Sequence, residues 1–192
     1  MNIVSELGTK YLKEFVKQHG LQDKEVINVG CGKDSYDFLP NAINFDEMDW
    51  TKYKDCPKNF VRGDAECMPF SNERFDAVIL IDMLEHCKHP DKVMREVSRV
   101  LKKGGLLCTI NTFLFRMHGN EIKGLEYEDY WRFTSHGIKL LCEESGLEIK
   151  DNTYYESYIY DNLCYDAMNP DDPGVMTIRM PRWIKIHTVA QK

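Results

Sequence analysis

The most constraining feature of the sequence is a seven-residue run, Phe75–Ile81 (FDAVILI), in which apolar residues are almost continuous. A strand with one face in water alternates apolar and polar residues, whereas a strand covered on both faces is apolar nearly throughout. The run therefore predicts a central strand of a parallel sheet. Such a sheet needs helical layers on both of its faces.

Helices and strands alternate along the rest of the chain. Helical periodicity predicts helices over 3–19, 90–101 and 135–144, the last with Thr134 as its N-cap. Besides 75–81, strands are predicted over 25–30, 42–45, 59–61, 106–110, 147–150, 175–180 and 183–189. The segment 33–41 is too short for an ordinary crossover helix. The alternation predicts an α/β fold, a three-layer sandwich around a mostly parallel sheet.

Length and charge restrict the function classes. The 192 residues suit one domain, 1–192, and the net charge of -6 is spread along the chain without a block of Lys and Arg. This distribution disfavours nucleic acid as a partner. The seven cysteines are odd in number and form no CxxC pair, so reduced thiols in a cytoplasmic protein are predicted, with no metal site. The chain starts without an apolar signal segment and has no run long enough for a membrane span.

Glycines or acidic residues follow the first four predicted strands. In open α/β sheets, ligands bind beyond the carboxyl ends of the strands, so these residues are the predicted cofactor-binding set. The set is Gly30, Cys31 and Gly32 after the first strand, Asp46 and Glu47 after the second, Asp64, Ala65 and Glu66 after the third, and Asp82 and Met83 after the fourth.

The chemistry of this set suits a nucleoside that carries positive charge. Glycines let the backbone approach a ligand closely. A carboxylate after the second strand can accept both ribose hydroxyls, and one after the third can accept an adenine amino group. S-adenosylmethionine (SAM) carries a sulfonium, an ammonium and no phosphate, whereas the pyrophosphate of NAD would be repelled. NAD also requires a third glycine, which the run 30–36 lacks. Taken singly, each residue has a simpler interpretation: Asp64, for example, is also a typical turn former.

The same segments resemble a known family. VINVGCG, NFDEMDW and the run from VRGDAECMPFSNERFDAV to LEH are similar to class I SAM-dependent methyltransferases of the UbiE/methyltransferase-11 type. The resemblance covers roughly 25–111 and extends through DYWRFTSHGIKLLCEESGLEI at 129–149. It implies a Rossmann-like seven-stranded sheet with an antiparallel last strand, and SAM as cofactor with S-adenosylhomocysteine as product.

The resemblance also implies roles for individual residues. Gly30 and Gly32 would pass under the methionyl part of SAM. Asp46 would bind the ribose hydroxyls, while Asp64 and the backbone at Ala65 would hold the adenine. Asp82 would lie near the methionyl amino group or the sulfonium. The family usually has an acidic residue at the position of Asn28, so this chain has one negative charge fewer in the ammonium pocket.

Residues outside the predicted core are expected to cover the acceptor. The cover would consist of the N-terminal helix at 1–20 and the segments 112–133 and 152–174. His86, His118 and Tyr130 are the candidate general bases; the simpler role of His86 is packing and that of His118 is exposure in a loop. The candidate substrate residues are Arg116, His118, Tyr130 and Arg132, and Arg132 could instead pair with a nearby carboxylate. The tyrosines from Tyr154 to Tyr165 could form an acceptor wall, pack on the sheet or form a homodimer surface.

The predicted function is methyl transfer to oxygen or nitrogen of a small-molecule, sugar or nucleotide-linked acceptor. A SAM-binding regulatory or partner protein without methyl transfer is the alternative of a different class. A nucleotide-binding oxidoreductase is disfavoured by Asp64 and by the missing third glycine. A DNA amino-methyltransferase is disfavoured because Ile81–Leu84 does not match the (N/D)PP(Y/F/W) pattern.

Overall fold

A seven-stranded sheet organises the chain in the computed structural model, which describes residues 3–114, 127–157 and 183–192. Its strands are β1 (Val26–Val29), β2 (Ile43–Asp46), β3 (Phe60–Arg62), β4 (Phe75–Ile81), β5 (Leu101–Leu114), β6 (Glu148–Ser157) and β7 (Trp183–Gln191). The strand order is β3-β2-β1-β4-β5-β7-β6. The first five strands are parallel, and β7 is antiparallel to both β5 and β6. The predicted fold class and its antiparallel last strand are confirmed.

Helices cover both faces of the sheet. On one face, α1 (Ile3–Gln18) buries Leu12, Phe15 and Val16 against side chains of β4 and β5. On the other face, α2 (Pro90–Val100) and α3 (Ser135–Glu144) pack over the central strands. The side chain of Thr134 accepts a 3.0 Å hydrogen bond from the Gly137 amide, as expected of an N-cap. These layers are the predicted three-layer sandwich.

The connection between β1 and β2 contains no helix, as its length predicts. Residues 33–41 form turns, and they fold back over the α1 face of the sheet. Leu39 is buried there, and the rings of Tyr36 and Phe38 stack with their centroids 5.3 Å apart. This loop therefore takes over part of the covering role of a crossover helix.

Several strand boundaries differ from the predictions. β2 and β3 each lie one residue further along than predicted, which makes Asp46 the last residue of β2 rather than a loop residue. The helix predicted over 90–101 ends at Val100, and Leu101 begins β5, which also includes the KKGG segment at 102–105. This segment lies within β5 as a bulge, between the pairs Phe75–Leu101 and Ala77–Leu106. At its other end, β5 continues to Leu114, because β7 pairs with it over that length.

The same partner strand lengthens β6, which continues seven residues beyond the predicted end at 150, to Ser157. Tyr154 and Tyr155 therefore lie in β6, in register with Ile186 and Lys185 of β7. The strand predicted over 175–180 lies outside the described residues, as do Tyr158, Tyr160 and Tyr165. No helix among the described residues is long and apolar enough to cross a membrane.

Candidate functional site

The glycine turn and the predicted carboxylates lie at one edge of the sheet. β3, β2, β1 and β4 are consecutive neighbours and run parallel, so their carboxyl ends meet at the same edge. The turn after β1 is flanked by Asp46 at the end of β2 and Asp82 after β4. Asp64 follows β3, at the outer strand. The strand order thus brings together the set that was separate in sequence.

The turn after β1 requires glycine at two positions for different reasons. Gly30 has φ +69°, and a Cβ there would lie 2.2 Å from Cγ of Met83. Gly32 has φ +55°, but a Cβ there would meet no atom within 4 Å. Gly30 therefore permits close packing inside the protein, whereas Gly32 faces open space where a ligand could lie against the backbone.

Cys31, between the two glycines, is a structural residue of the turn. Its side chain is buried, and its thiol donates to the carbonyl oxygen of Gly32 at 3.4 Å. Burial and the charges of Asp46 and Asp34 raise the pKa of the Cys31 thiol. The thiol therefore stays protonated and is a poor nucleophile.

Asp46 is fixed by backbone hydrogen bonds at the end of β2. Its Oδ2 accepts from the Gly32 amide and its Oδ1 from the Met48 amide, each at 2.8 Å. These bonds tie the carboxylate to the glycine turn. Glu47, by contrast, is exposed, and its carbonyl oxygen accepts a 2.9 Å hydrogen bond from Nε of Arg62.

Asp64 begins a tight turn after β3. Its Oδ1 accepts from the Glu66 amide at 2.8 Å and its carbonyl oxygen accepts from the Cys67 amide at 3.1 Å. The turn-forming role is therefore present, and it also fixes the carboxylate at the sheet edge. Ala65 packs against the core. The Glu66 carboxylate forms an ion pair with Lys92 of α2 at 3.1 Å.

Asp82 has a left-handed backbone conformation. Its φ of +49° is uncommon for a residue with a side chain. The conformation is stabilised by a 2.9 Å hydrogen bond from its amide to the Ile110 carbonyl oxygen. Its Oδ1 accepts from the Thr112 hydroxyl at 3.3 Å. The next residue, Met83, is buried under Gly30.

Sequence reasoning missed two groups in the shortened loop, Asp34 and Tyr36. Desolvation, followed by the charge of Asp82, raises the pKa of Asp34. Burial, followed by the charges of Asp34 and Asp82, raises the pKa of Tyr36. The acidic residue after Gly32 was a visible signal, but its position depends on how the loop folds.

His86 lies in a short 3-10 turn, Leu84–His86, that packs against residues 127–133. Its Nδ1 is 2.7 Å from the carbonyl oxygen of Glu128, and its ring meets that of Tyr127 edge-on at 4.6 Å. A carbonyl only accepts, so Nδ1 is the donor and Nε2 is the basic nitrogen of the neutral ring. The amides of Tyr130 and Trp131 donate to the Glu85 carbonyl oxygen at 2.8 and 3.2 Å.

Tyr130 and Arg132 differ in what they offer an acceptor. Tyr130 is 45% exposed. The guanidinium of Arg132 forms a two-point ion pair with Asp129, with Nη2 2.7 Å from Oδ2. Asp129 raises the pKa of Arg132. Of the two roles predicted for Arg132, the structure shows the pairing with a nearby carboxylate.

A buried acidic group under the site was also missed. Glu85 is fully buried, and its Oε1 accepts from the Thr112 hydroxyl at 2.7 Å. Thr112 thus contacts both Glu85 and Asp82, and links the 3-10 turn to the end of β4. The contact between Glu85 and Thr112 could not be foreseen, because Thr112 was predicted to belong to the acceptor cover 112–133 but lies in β5.

Two predicted acceptor residues, Arg116 and His118, lie outside the described residues. The same holds for 115–126 of the predicted cover segment 112–133, and for 158–174 of the segment 152–174. Among the residues that are described, no group of three or more His, Cys, Asp or Glu side chains is arranged to hold a metal ion.

The chain is similar to known methyltransferases. Residues 27–109 match the model of the methyltransferase domain Methyltransf_11. The phthiotriol/phenolphthiotriol dimycocerosates methyltransferase of Mycobacterium leprae is 38% identical over 105 residues, which cover 47% of this chain and 38% of that protein. The ubiquinone/menaquinone biosynthesis C-methyltransferase UbiE of Pseudomonas entomophila is 33% identical over 87 residues, covering 45% and 33%. The chain thus spans about a third of the length of these relatives.

A solved structure extends the likeness over almost the whole chain. The 1,6-didemethyltoxoflavin-N1-methyltransferase of Burkholderia thailandensis, determined with 1,6-didemethyltoxoflavin and S-adenosylhomocysteine, superposes with a TM-score of 0.62. The superposition covers 96% of this chain and 77% of that one at 13% identity, which shows a common fold. Together the comparisons confirm the predicted resemblance to SAM-dependent methyltransferases of the methyltransferase-11 type, and they support SAM as the cofactor class.

Proposed function

We propose that this chain, whose residues 27–109 match a methyltransferase domain, transfers a methyl group from SAM to a small-molecule acceptor. One observation carries the proposal: the matched segment contains a glycine turn whose Gly32 faces open space, with Asp46 bonded to that turn at 2.8 Å. The turn offers backbone close to the ligand, and the carboxylate offers oxygen atoms to its hydroxyl groups.

The residues at the strand ends fit the parts of SAM. Asp46 would accept the two ribose hydroxyls through the second lone pairs of its oxygens. Asp64, fixed by its turn, would accept the adenine amino group. Asp82 would lie near the methionyl end. The bound cofactor supplies a methyl group on a positively charged sulfur, which is already activated for displacement.

The protein's own contribution is then mainly to position the acceptor and exclude water. The segment 127–133 supports this role, because its backbone is bonded to the 3-10 turn that follows β4. His86 is a candidate general base through Nε2, and a base of this kind contributes about 10²–10⁴-fold to a rate. Tyr130 and His118 stay predictions as further acceptor groups.

The acceptor atom is proposed to be oxygen or nitrogen of a small-molecule, sugar or nucleotide-linked compound. One relative is named as a C-methyltransferase and one structural neighbour as an N1-methyltransferase, so the family type alone does not select the atom. Mass spectrometry and NMR of the methylated product would identify the atom directly. A cytoplasmic location and a homodimer also stay predictions.

The cofactor assignment is tested by calorimetry with S-adenosylhomocysteine and with NAD. We expect binding of the first and none of the second; tight NAD binding without S-adenosylhomocysteine binding would refute the proposal. Gly32→Ala should abolish binding by filling the ligand space. Gly20→Ala is the matched control, because Gly20 has φ +59° and open space at the end of α1, away from the site.

Transfer itself is tested by acceptor-dependent release of S-adenosylhomocysteine from SAM. A panel of sugars, nucleotide-linked sugars and small phenols, acids and amines would cover the proposed classes. Turnover with one class supports the enzyme. Cofactor binding without turnover on any acceptor would favour the alternative, a SAM-binding regulatory or partner protein.

A further inference from the structure

The turn at Asp64 belongs to a loop, residues 63–74, that joins β3 to β4 without a helix. Two backbone hydrogen bonds lie within this loop. The Cys67 amide donates to the Asp64 carbonyl oxygen at 3.1 Å, and the Phe70 amide donates to the Met68 carbonyl oxygen at 2.8 Å. Backbone groups that belong to no ladder need other partners, so the position of this loop depends on the elements beside it.

Arg99 of α2 supplies partners for the loop through its guanidinium. All five N–H donors of the group are used. Two bond to the carboxylate of Glu96, at 2.6 and 2.7 Å. The other three bond to the carbonyl oxygens of Met68 and Phe70, at 2.9 and 2.7 Å, and to Oδ1 of Asn72 at 2.9 Å. Because the guanidinium holds its donors in a rigid plane, Arg99 fixes three loop residues relative to one another.

The ion pair of Arg99 with Glu96 is partly shielded from water. The two side chains are 30% and 18% exposed. Glu96 also bonds to the loop, since its Oε2 accepts from the Met68 amide at 2.7 Å. Arg95, one turn earlier in α2, pairs instead with Asp91 of the same helix, and these side chains are 59% and 45% exposed. Arg99 thus joins the helix to the loop, whereas the pair of Arg95 lies within the helix.

The contacts with α2 bear on the position of the Asp64 carboxylate. That carboxylate is held by the Glu66 amide, and Glu66 is paired with Lys92 of α2 at 3.1 Å. The turn is therefore attached to β3 at one end and to α2 at the other. A hydrogen bond weakens steeply when its geometry is lost, so recognition of a ligand's amino group by Asp64 depends on this attachment.

We propose that Arg99 is a positioning residue for recognition of the base: through Met68 and Phe70 it fixes the turn at which Asp64 would select the adenine amino group. The inference rests on the proposed function. It assigns the preference for adenine over other bases to a side chain outside the predicted cofactor-binding set. Without Arg99 the turn would stay attached to β3 but could shift, and selection of the base would be lost.

Two ligands that differ only in the base measure this selection. S-inosylhomocysteine has the ribose and the amino acid part of S-adenosylhomocysteine, but a carbonyl oxygen replaces the amino group of the base. The Asp64 carboxylate would accept from the amino group and repel the carbonyl oxygen. We expect calorimetry of the wild type to give a dissociation constant about 10- to 100-fold lower for S-adenosylhomocysteine, the value of one charge-assisted hydrogen bond.

Arg99→Gln should lower this ratio of dissociation constants to less than about threefold, mainly by weakening the binding of S-adenosylhomocysteine. The matched control Arg95→Gln removes an arginine from the same helix and should keep the wild-type ratio. Should Arg99→Gln fail to fold, Arg99→Lys gives the same comparison. A lysine keeps the charge beside Glu96 but lacks the planar fork of donors, so the ratio should again fall.

A purely structural role of Arg99 would lower both affinities by the same factor. An unchanged ratio in the Arg99 variants, or an equal fall of the ratio in Arg95→Gln, would therefore overturn the assignment. Asp64→Asn should lose the ratio as Arg99→Gln does, and a ratio retained in Asp64→Asn would also contradict the inference. A wild type that binds neither ligand would overturn the proposed function itself, and that result is distinct from the others.

Discussion

Replacing Gly30 by alanine should destabilise the fold in two separable ways. The first is the left-handed backbone conformation, which costs a residue with a side chain about 1–2 kcal/mol. The second is overpacking: the new Cβ would lie 2.2 Å from Cγ and 2.7 Å from Cβ of Met83, so the side chain cannot simply swing away. Overpacking of this kind costs about 1–3 kcal/mol. Together we expect a loss of about 2–5 kcal/mol in the free energy of unfolding.

Gly146→Ala separates the two contributions. Gly146 has φ +76°, close to the +69° of Gly30, but a Cβ there would meet no atom within 4 Å. Urea denaturation followed by circular dichroism should therefore give a cost of about 1–2 kcal/mol for Gly146→Ala. Equal losses for the two variants would refute the steric argument. In a double-mutant cycle, Met83→Ala should partly rescue Gly30→Ala, and additivity of the two changes would also contradict it.

Charged and titratable groups around the strand ends give four further expected outcomes. Asp46→Ala should weaken S-adenosylhomocysteine binding by about 3 kcal/mol or more, since two charge-assisted bonds to ribose are lost; unchanged affinity by calorimetry would assign the ribose to another residue. His86→Ala should bind SAM normally but turn over more slowly, with a loss that shrinks at high pH; full turnover at neutral pH would exclude it as the base. Arg132→Ala should lower the free energy of unfolding in urea by about 2–3 kcal/mol, because its partner Asp129 is only 3% exposed. The exposed ion pair of Arg95 with Asp91 should contribute about 1 kcal/mol or less to the same free energy. Because the pKa of Asp34 is raised in the folded state, the unliganded protein should lose stability as the pH rises from 3.8, the ordinary pKa, to the raised pKa of the folded protein. The melting temperature of the wild type should therefore fall across this pH range, and that fall should be absent in Asp34→Asn.

Local sequence patterns predicted the elements whose structure depends on local contacts. The apolar run of β4 and the capping threonine of α3 were located to the residue. Sequence patterns predicted strand length less accurately where the length depends on pairing with a strand distant in sequence. β5 and β6 extend beyond their apolar cores because β7 supplies hydrogen bonds along their whole length, and no periodicity within β5 or β6 encodes that partner.

In the candidate site, too, features set by local sequence could be predicted, whereas features set by contacts between distant residues could not. The common position of the glycine turn and the acidic residues could be predicted, because strand ends of a parallel sheet share an edge. Asp34 was not recognised, because its position depends on the pairing of Asn28 with Asn44 across two strands. Glu85 was missed for a related reason: its hydrogen-bond partner Thr112 lies in β5, beyond the predicted end of that strand at 110.

The insertion of β7 between β5 and β6 has a consequence for the folding reaction. β6 precedes β7 in the chain, yet it cannot reach β5 in the native order until β7 has entered the space between them. Any intermediate without β7 therefore carries two strands with unpaired backbone groups, and such edges are templates for pairing with other molecules. Docking of the nine residues Trp183–Gln191 is thus the step that pairs the exposed edge of β5 and one edge of β6. Conditions that slow this step should favour intermolecular association over refolding.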